Sequence, residues 1–268
     1  IVMTFSGHDP CGGAGIQADI ETLASQGCLA STIITALTVQ DTRAVHRVEP
    51  VAADLVGEQL DVVLDEVRPM GIKTGMLWSG DLIEAVASRL AKKAETPLVV
   101  DPVLVATSGG ALLRPDALEA LQGVLIPIAT VITPNLPEAA SLLGRTAIED
   151  AEIEDAAQAL LALGADAVLL TGGHAQGRDA VDVLATASGV VRLTLPRLEG
   201  ANAHGTGCAL AAALTARLAQ GVGLEDAARL AKAWVHRALA AAAARGPGAP
   251  LDHGQPADVV LPPDASSR

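Results

Sequence analysis

The sequence predicts one α/β domain: a doubly wound, mostly parallel sheet with helices on both faces and a small hairpin at one edge. Three observations carry this. Short apolar, β-branched runs alternate with longer amphipathic Ala/Leu/Glu stretches along most of the chain. The 268 residues suffice for one large domain, and no repeat or internal linker divides them. Half the residues are hydrophobic while only 1% are aromatic, so the core must be close aliphatic packing, which suits helices pressed onto a Val/Ile/Leu sheet.

Taken in order, strands are expected at 1–5, 31–39, 70–73, 98–101, 130–133 and 167–171. Helices are expected at 15–25, 52–65, 80–92, 135–143, 153–162, 206–220 and 224–243. Two further strands, 179–185 and 190–195, flank Thr186-Ala187-Ser188-Gly189 and read as a hairpin extending one sheet edge. The domain is expected over 1–245. The stretch 246–268, rich in Gly, Pro and Asp, is expected to be loosely ordered.

The formal net charge of −13 makes nucleic acid a poor partner, although a phosphate site can still be built locally from backbone N–H groups and one or two cations. Three Cys without a CxxC pair argue against a disulfide scaffold or structural zinc and fit a reducing cytoplasm. No apolar run reaches membrane-spanning length uninterrupted. No signal-peptide pattern is visible, and the chain opens in a strand without an initiator Met, as a trimmed chain would.

Four segments carry chemistry. The strongest is Asn202-Ala203-His204-Gly205-Thr206-Gly207-Cys208, which runs into an Ala-rich helix. Unpaired N–H groups and the dipole at a helix start can hold a phosphoryl group as charge builds on it. Cys208 falls in the first turn, where a thiol pKa is lowered, so it could take a proton from an attacking hydroxyl. An ordinary Gly-rich cap over a buried Cys explains the same pattern. The second is Ser6-Gly7-His8-Asp9-Pro10-Cys11-Gly12-Gly13-Ala14-Gly15, after the first strand and leading to Gln17 and Asp19. Open α/β sheets place ligands at such loops, but it matches neither GxxxxGK[ST] nor the Rossmann GxGxxG register. A tight turn without a ligand is the plain alternative.

The third is Thr133-Pro134-Asn135-Leu136-Pro137-Glu138, a capping box by its spacing. Glu138 could also hold Mg²⁺ together with Asp101, which ends another strand on the same edge. The fourth is Leu170-Thr171-Gly172-Gly173-His174, a Gly pair that could line a nucleotide pocket or simply turn the chain into the hairpin. His174 and His204 are assigned no role.

The ordered set GHDPCGGAGIQAD, ITALTVQDTR, IKTGML, VVDPV, ITPNLPEA, GGH and HGTGC resembles the hydroxymethylpyrimidine and phosphomethylpyrimidine kinases of thiamin synthesis, within the ribokinase-like superfamily. The resemblance reaches to about Ala244. It implies ATP, Mg²⁺, a homodimer, and phosphorylation first of a hydroxymethyl group and then of the resulting monophosphate. Cys208 is then the base, and Gly205 and Gly207 belong to the anion hole. Gln40 reads the pyrimidine edge, which suits a carboxamide with one donor and one acceptor side, and Gly7, Ala14, Asp19, Met76 and Val103 surround it. Asp101 and Glu138 match the metal side; Asn135, Thr171, Gly173 and Lys232 match the nucleotide side. Three departures stand out: Cys11 replaces a common Ser, Thr171 replaces a longer, basic residue, and the Gly-His-Gly-type ending is reduced to Leu251-Asp252-His253-Gly254.

The expected reaction is in-line phosphoryl transfer, with the substrate hydroxyl between Cys208 and the γ-phosphate. A pyridoxal kinase on the same fold and a non-catalytic pyrimidine sensor are the rivals. Their tests are activity on the two alcohols and an assay for ATP turnover.

Overall fold

The computed structural model describes residues 1–41, 43–105, 110, 112–173, 177–198, 204–246 and 249–257. Nine strands form one sheet among these residues: β1 (Val2–His8), β2 (Ala30–Gln40), β3 (Val45–Pro50), β4 (Gly71–Thr74), β5 (Leu98–Val100), β6 (Val131–Ile132), β7 (Ala167–Leu170), β8 (Asp179–Thr186) and β9 (Gly189–Pro196). Their order is β3-β2-β1-β4-β5-β6-β7-β8-β9. The six central strands run parallel, while β3 at one edge and the β8–β9 hairpin at the other are antiparallel.

The helices are α1 (Gly15–Ser25), α2 (Ala53–Val67), α3 (Gly80–Leu90), a short α4 (Leu118–Ala120), α5 (Leu136–Leu142), α6 (Ile153–Leu161), α7 (Thr206–Ala219) and α8 (Leu224–Ala244). Alternation along the buried strands splits the core in two, because successive side chains point to opposite faces. Ile72, Val100, Ile132 and Val168 pack with α2, α3, α5 and α6, whereas Val99, Val131, Ala167 and Leu169 pack with α7 and α8. The sheet is thus covered on both faces, as the alternation of the sequence predicts. Nearly every residue of α7 from Ala209 to Ala216 is buried. Its alanines let it lie close over the sheet: a Cβ on Gly71 would stand 2.9 Å from the Cβ of Ala219.

Two features depart from expectation. β3, sequence VHRVEP, was not foreseen, because its charged and polar residues are those of an exposed edge strand rather than of an apolar run. The helical turns from Pro115 to Ile128 were likewise missed; Gly123 and Pro127 break their periodicity into short pieces. Residues 249–257 lie within the stretch expected to be loosely ordered. Leu251 and His253 are buried there, and the carbonyls of Gln255 and Pro256 accept from Trp234 Nε1 at 2.9 Å and Arg237 Nη2 at 2.5 Å. Residues 258–268 lie outside the described part, as do His174, Asn202 and Ala203 of the motifs. No helix among the described residues is long and apolar enough to cross a membrane.

Candidate active site

The order of strands reverses on the two sides of β1, which pairs with both β2 and β4. Ligands of open α/β sheets bind at the carboxyl ends of strands beside such a reversal. A small cleft of about 50 Å³ opens there, lined by residues that include Gly7, Ala14, Gln40, Met76, Val103 and Cys208. These six come from five separate stretches of sequence; five were expected at the substrate and Cys208 as the base.

The loop between β1 and α1 forms one wall. Asp9 folds it onto itself: Oδ1 accepts from Cys11 N at 2.8 Å and Oδ2 from Ala14 N at 2.9 Å, while Gln17 Oε1 accepts from Asp9 N at 3.1 Å. His204 Nε2 lies 3.2 Å from Asp9 Oδ2 and ties this loop to the start of α7. Burial alone would raise the Asp9 pKa, but hydrogen bonds from His204, Gln40 and the Cys11 amide outweigh it and hold the carboxyl at about 2. Asp9 was not singled out from the sequence. Its signal was an Asp two residues before a bend, the Asx-turn pattern.

Gly205 caps α7 in the left-handed region, with φ 81°, and a Cβ there would stand 1.8 Å from Gly13 O. Only glycine allows this approach of the two loops. The N-cap glycine has no side chain to cap α7, and a Cβ on Gly207 would meet nothing within 4 Å. Gly207 is thus exposed in the first turn of a 14-residue helix, beside Cys208 of the cleft.

Beneath this turn lies a buried charged cluster. Lys73 Nζ is 2.8 and 2.9 Å from the two Asp19 carboxylate oxygens, Thr4 Oγ1 donates to Asp19 Oδ2 at 2.5 Å, and neither charged side chain has any exposure. Burial would lower the Lys73 pKa, but the Asp19 charge reverses this and raises it. Asp19, expected at the substrate, thus sits below the cleft with both oxygens engaged. Cys208 is half-buried in the cleft wall and its pKa is pushed up to about 12, first by burial. Lys73 pulls it down, while Asp101 and Asp19 push it up. The expected lowering by the helix start is corrected: low dielectric and two nearby carboxylates outweigh the dipole.

Asp101 and Glu138 follow β5 and β6 on the same edge. Burial raises both pKa values; Lys73 and the Cys208 thiol moderate the rise at Asp101, whereas the charge of Asp101 adds to that at Glu138. The two carboxyls therefore stand close enough to act on each other. Asp101 Oδ2 is buried without a hydrogen-bond partner, and so is the Thr133 hydroxyl. Glu138 also closes the capping box, its Oε2 accepting from Asn135 N at 2.9 Å while Asn135 Oδ1 accepts from Glu138 N at 2.9 Å. An acidic pair with an orphaned, buried oxygen fits the hard, oxygen-ligated Mg²⁺.

Thr171 bridges to Asn135, with Thr171 N donating to Pro134 O at 2.9 Å. Gly172 is tightly placed, since a Cβ there would lie 2.0 Å from Val181 O, whereas Gly173 looks onto open space. Lys232, expected to touch the nucleotide, is buried in α8 and its Nζ lies 2.8 Å from Asp182 Oδ2. Asp182 Oδ1 in turn accepts from Gly172 N at 3.0 Å. Lys232 therefore meets Gly172 through Asp182.

The family model of phosphomethylpyrimidine kinase matches residues 9–251. A hydroxymethylpyrimidine/phosphomethylpyrimidine kinase of Rhizobium meliloti is 46% identical over 243 residues, covering 90% of this chain and 91% of that one. Among solved structures, the ADP complex of Bacillus subtilis pyridoxal kinase matches with a TM-score of 0.81 at 35% identity, over 88% of this chain and 90% of that one. The phosphomethylpyrimidine kinase of Clostridium difficile matches with a TM-score of 0.77 at 35% identity, over 88% and 98%. With the cleft residues, the glycine contact and the Asn135–Glu138 cap in place, the chain belongs to the phosphomethylpyrimidine kinase family, a family of phosphotransferases on the ribokinase-like fold.

Proposed function

We propose that this protein transfers the γ-phosphate of ATP to the hydroxymethyl group of 4-amino-5-hydroxymethyl-2-methylpyrimidine, and then phosphorylates the monophosphate, in thiamin biosynthesis. The observation that carries this is the meeting of Gly7, Ala14, Gln40, Met76 and Val103 with Cys208 in one cleft. The ring lies in that cleft, with Gln40 at its edge, so that the hydroxymethyl group reaches Cys208. ATP lies on the side of Asn135, Thr171 and Gly173. The open first turn of α7, with Gly205 and Gly207, stabilises charge on the phosphoryl group during transfer.

Cys208 is a thiol in the free protein, so it acts as a relay rather than as a standing base. Its sulfur takes the hydroxyl proton as its own proton passes to an oxygen of the transferred phosphoryl group. Asp101 and Glu138 would hold Mg²⁺, which supplies charge neutralisation of the ATP phosphates when bound.

We infer a homodimer and a cytoplasmic location as well. Leu37 and Val39 on β2 are about half exposed, at 50% and 52%, and offer an apolar strip to a second copy. Cys11, Cys28 and Cys208 are all unpaired. One experiment tests the activity: phosphoryl transfer from ATP assayed with hydroxymethylpyrimidine, its monophosphate and pyridoxal. Turnover of both pyrimidines at higher kcat/KM than pyridoxal supports the reading. Preference for pyridoxal would make the chain a pyridoxal kinase, as the Bacillus subtilis neighbour is named, and no turnover of any would leave the sensor.

A further inference from the structure

Arg197 follows β9 and reaches back across the start of β8 to the turn that follows β7. Its guanidinium donates to four carbonyls: Nη1 to Gly173 O at 2.8 Å, Nε to Gly177 O at 3.0 Å, Nη2 to Asp179 O at 3.2 Å, and Nη2 also to Gly172 O at a longer 3.5 Å. Its own N–H donates to Arg178 O at 2.8 Å. The opposite side of the same turn is held by Asp182, which accepts from Gly172 N and is itself fixed by Lys232. One side chain thus orients the carbonyls of the turn and another its amide. Gly172 can occupy this place because it has no Cβ to strike Val181 O, and Gly173 is left facing open space.

A turn that only connects β7 to β8 needs no such bracing, because surface carbonyls are satisfied by water. Guanidinium is planar and offers five donors in a fixed fork, so it fixes the plane of several peptides at once, which the single point charge of a lysine cannot do. Its positive charge also stays beside the turn, where it favours an anion. The Thr171–Asn135 bridge places this turn next to the helix cap of Glu138.

We propose that Arg197 is a positioning residue for the nucleotide: by bracing the carbonyls of Gly172, Gly173, Gly177 and Asp179 it presents Thr171 and Gly173 to the phosphates of ATP, and it has no part in binding the pyrimidine. This rests on the reading of the Thr171–Gly173 turn as the nucleotide side. The tests are Arg197→Ala and Arg197→Lys. KM for ATP and for hydroxymethylpyrimidine are measured separately, AMP-PCP binding is followed by calorimetry without pyrimidine, and added guanidinium is tried at low concentration. Arg197→Ala should raise KM for ATP and weaken AMP-PCP binding on the order of 10- to 100-fold, as the loss of charged hydrogen bonds does. KM for the pyrimidine should stay within about two-fold. Arg197→Lys should recover only part of the loss, and guanidinium should partly restore Arg197→Ala. Unchanged nucleotide binding, or equal rises in both KM values, would overturn the inference while leaving the kinase reading intact. A parent protein that binds no AMP-PCP would overturn both. If Arg197→Ala does not fold, Arg197→Lys decides: nucleotide affinity equal to that of the parent refutes the role.

Discussion

Lys73 and Asp19 form an ion pair with no access to water, Nζ standing 2.8 Å from one carboxylate oxygen and 2.9 Å from the other, below the residues that line the cleft. It joins β4 to α1, and Thr4 adds β1 through its hydroxyl. A pair so deeply buried contributes little net stability, because desolvation offsets the attraction. Removing one partner is another matter, since the other charge is left alone in low dielectric. Lys73→Met should therefore destabilise the protein by about 3–5 kcal/mol, and a Lys73→Met/Asp19→Asn double variant should regain part of that loss. Urea unfolding measures both. A single variant with the midpoint of the parent would show that the pair is dispensable.

Asp9 makes stability depend on pH in a defined window. Its carboxyl is held at about 2 against an ordinary 3.8, so its stabilisation is complete above about pH 4 and disappears as pH falls toward 2. The shift corresponds to on the order of 1–2 kcal/mol of stability at neutral pH. Asp9→Asn should lower stability at pH 7 by this amount and converge with the parent near pH 2. Acid titrations of unfolding by circular dichroism read this directly. A constant offset between the two proteins down to pH 2 would remove Asp9 from the account.

Most helices were legible in the sequence because their signals are local. α1 runs over Gly15–Ser25 as expected, and α7 and α8 differ from expectation by a residue or less at each end. The cleft residues Gly7, Ala14, Gln40, Met76 and Val103 were legible only through the ordered motifs, since nothing local brings β1, β2 and the ends of β4 and β5 together. What escaped was non-local. The contact of Gly205 with Gly13, the engagement of Asp19 by Lys73 and the pairing of Lys232 with Asp182 each join segments distant in sequence. The direction of the Cys208 shift escaped for the same reason. The helix start that should lower it is visible in the chain, but the carboxylates of Asp101 and Asp19 reach it only through the fold.

The relay reading of Cys208 separates three substitutions. Cys208→Ala removes the path and should lower kcat by roughly 10²–10⁴-fold with ATP binding kept. Cys208→Asp, a carboxylate able to accept the proton, should retain part of the rate. Cys208→Ser keeps a hydroxyl that can pass a proton on, and should lie above Cys208→Ala. Serine equal to alanine would favour a preformed thiolate, and a fully active Cys208→Ala would remove the residue from the chemistry altogether.

Gln40 lines the cleft at the end of β2, where Thr38 Oγ1 donates to His8 O at 2.7 Å and holds the neighbouring strand in register. A carboxamide there matches a ring nitrogen and an amino group with one acceptor and one donor. Gln40→Ala should raise KM for the pyrimidine by the equivalent of about 1–3 kcal/mol and leave KM for ATP nearly unchanged. The same rise in both constants would make Gln40 structural.

Asp101 follows β5 and Glu138 lies in the first turn of α5 beyond the adjacent β6; both are buried, and each resists ionisation in the absence of a cation. Asp101 Oδ2 has no hydrogen-bond partner in the described structure, an arrangement that costs free energy unless something positive meets it. Glu138 has a second task as part of the cap on Asn135, so its replacement must preserve an acceptor. Glu138→Gln does so, because the amide oxygen can still receive Asn135 N–H. Asp101→Asn likewise keeps the shape while removing the charge. Mg²⁺ should raise the melting temperature of the nucleotide-free parent, since a ligand that binds only the folded state stabilises it by mass action. Each amide variant should lose most of this gain, and each should need several-fold more Mg²⁺ for half-maximal rate. Mn²⁺ binding followed by electron paramagnetic resonance offers a third readout that needs no turnover. If both variants keep the full thermal shift with Mg²⁺, the two carboxylates do not share a metal.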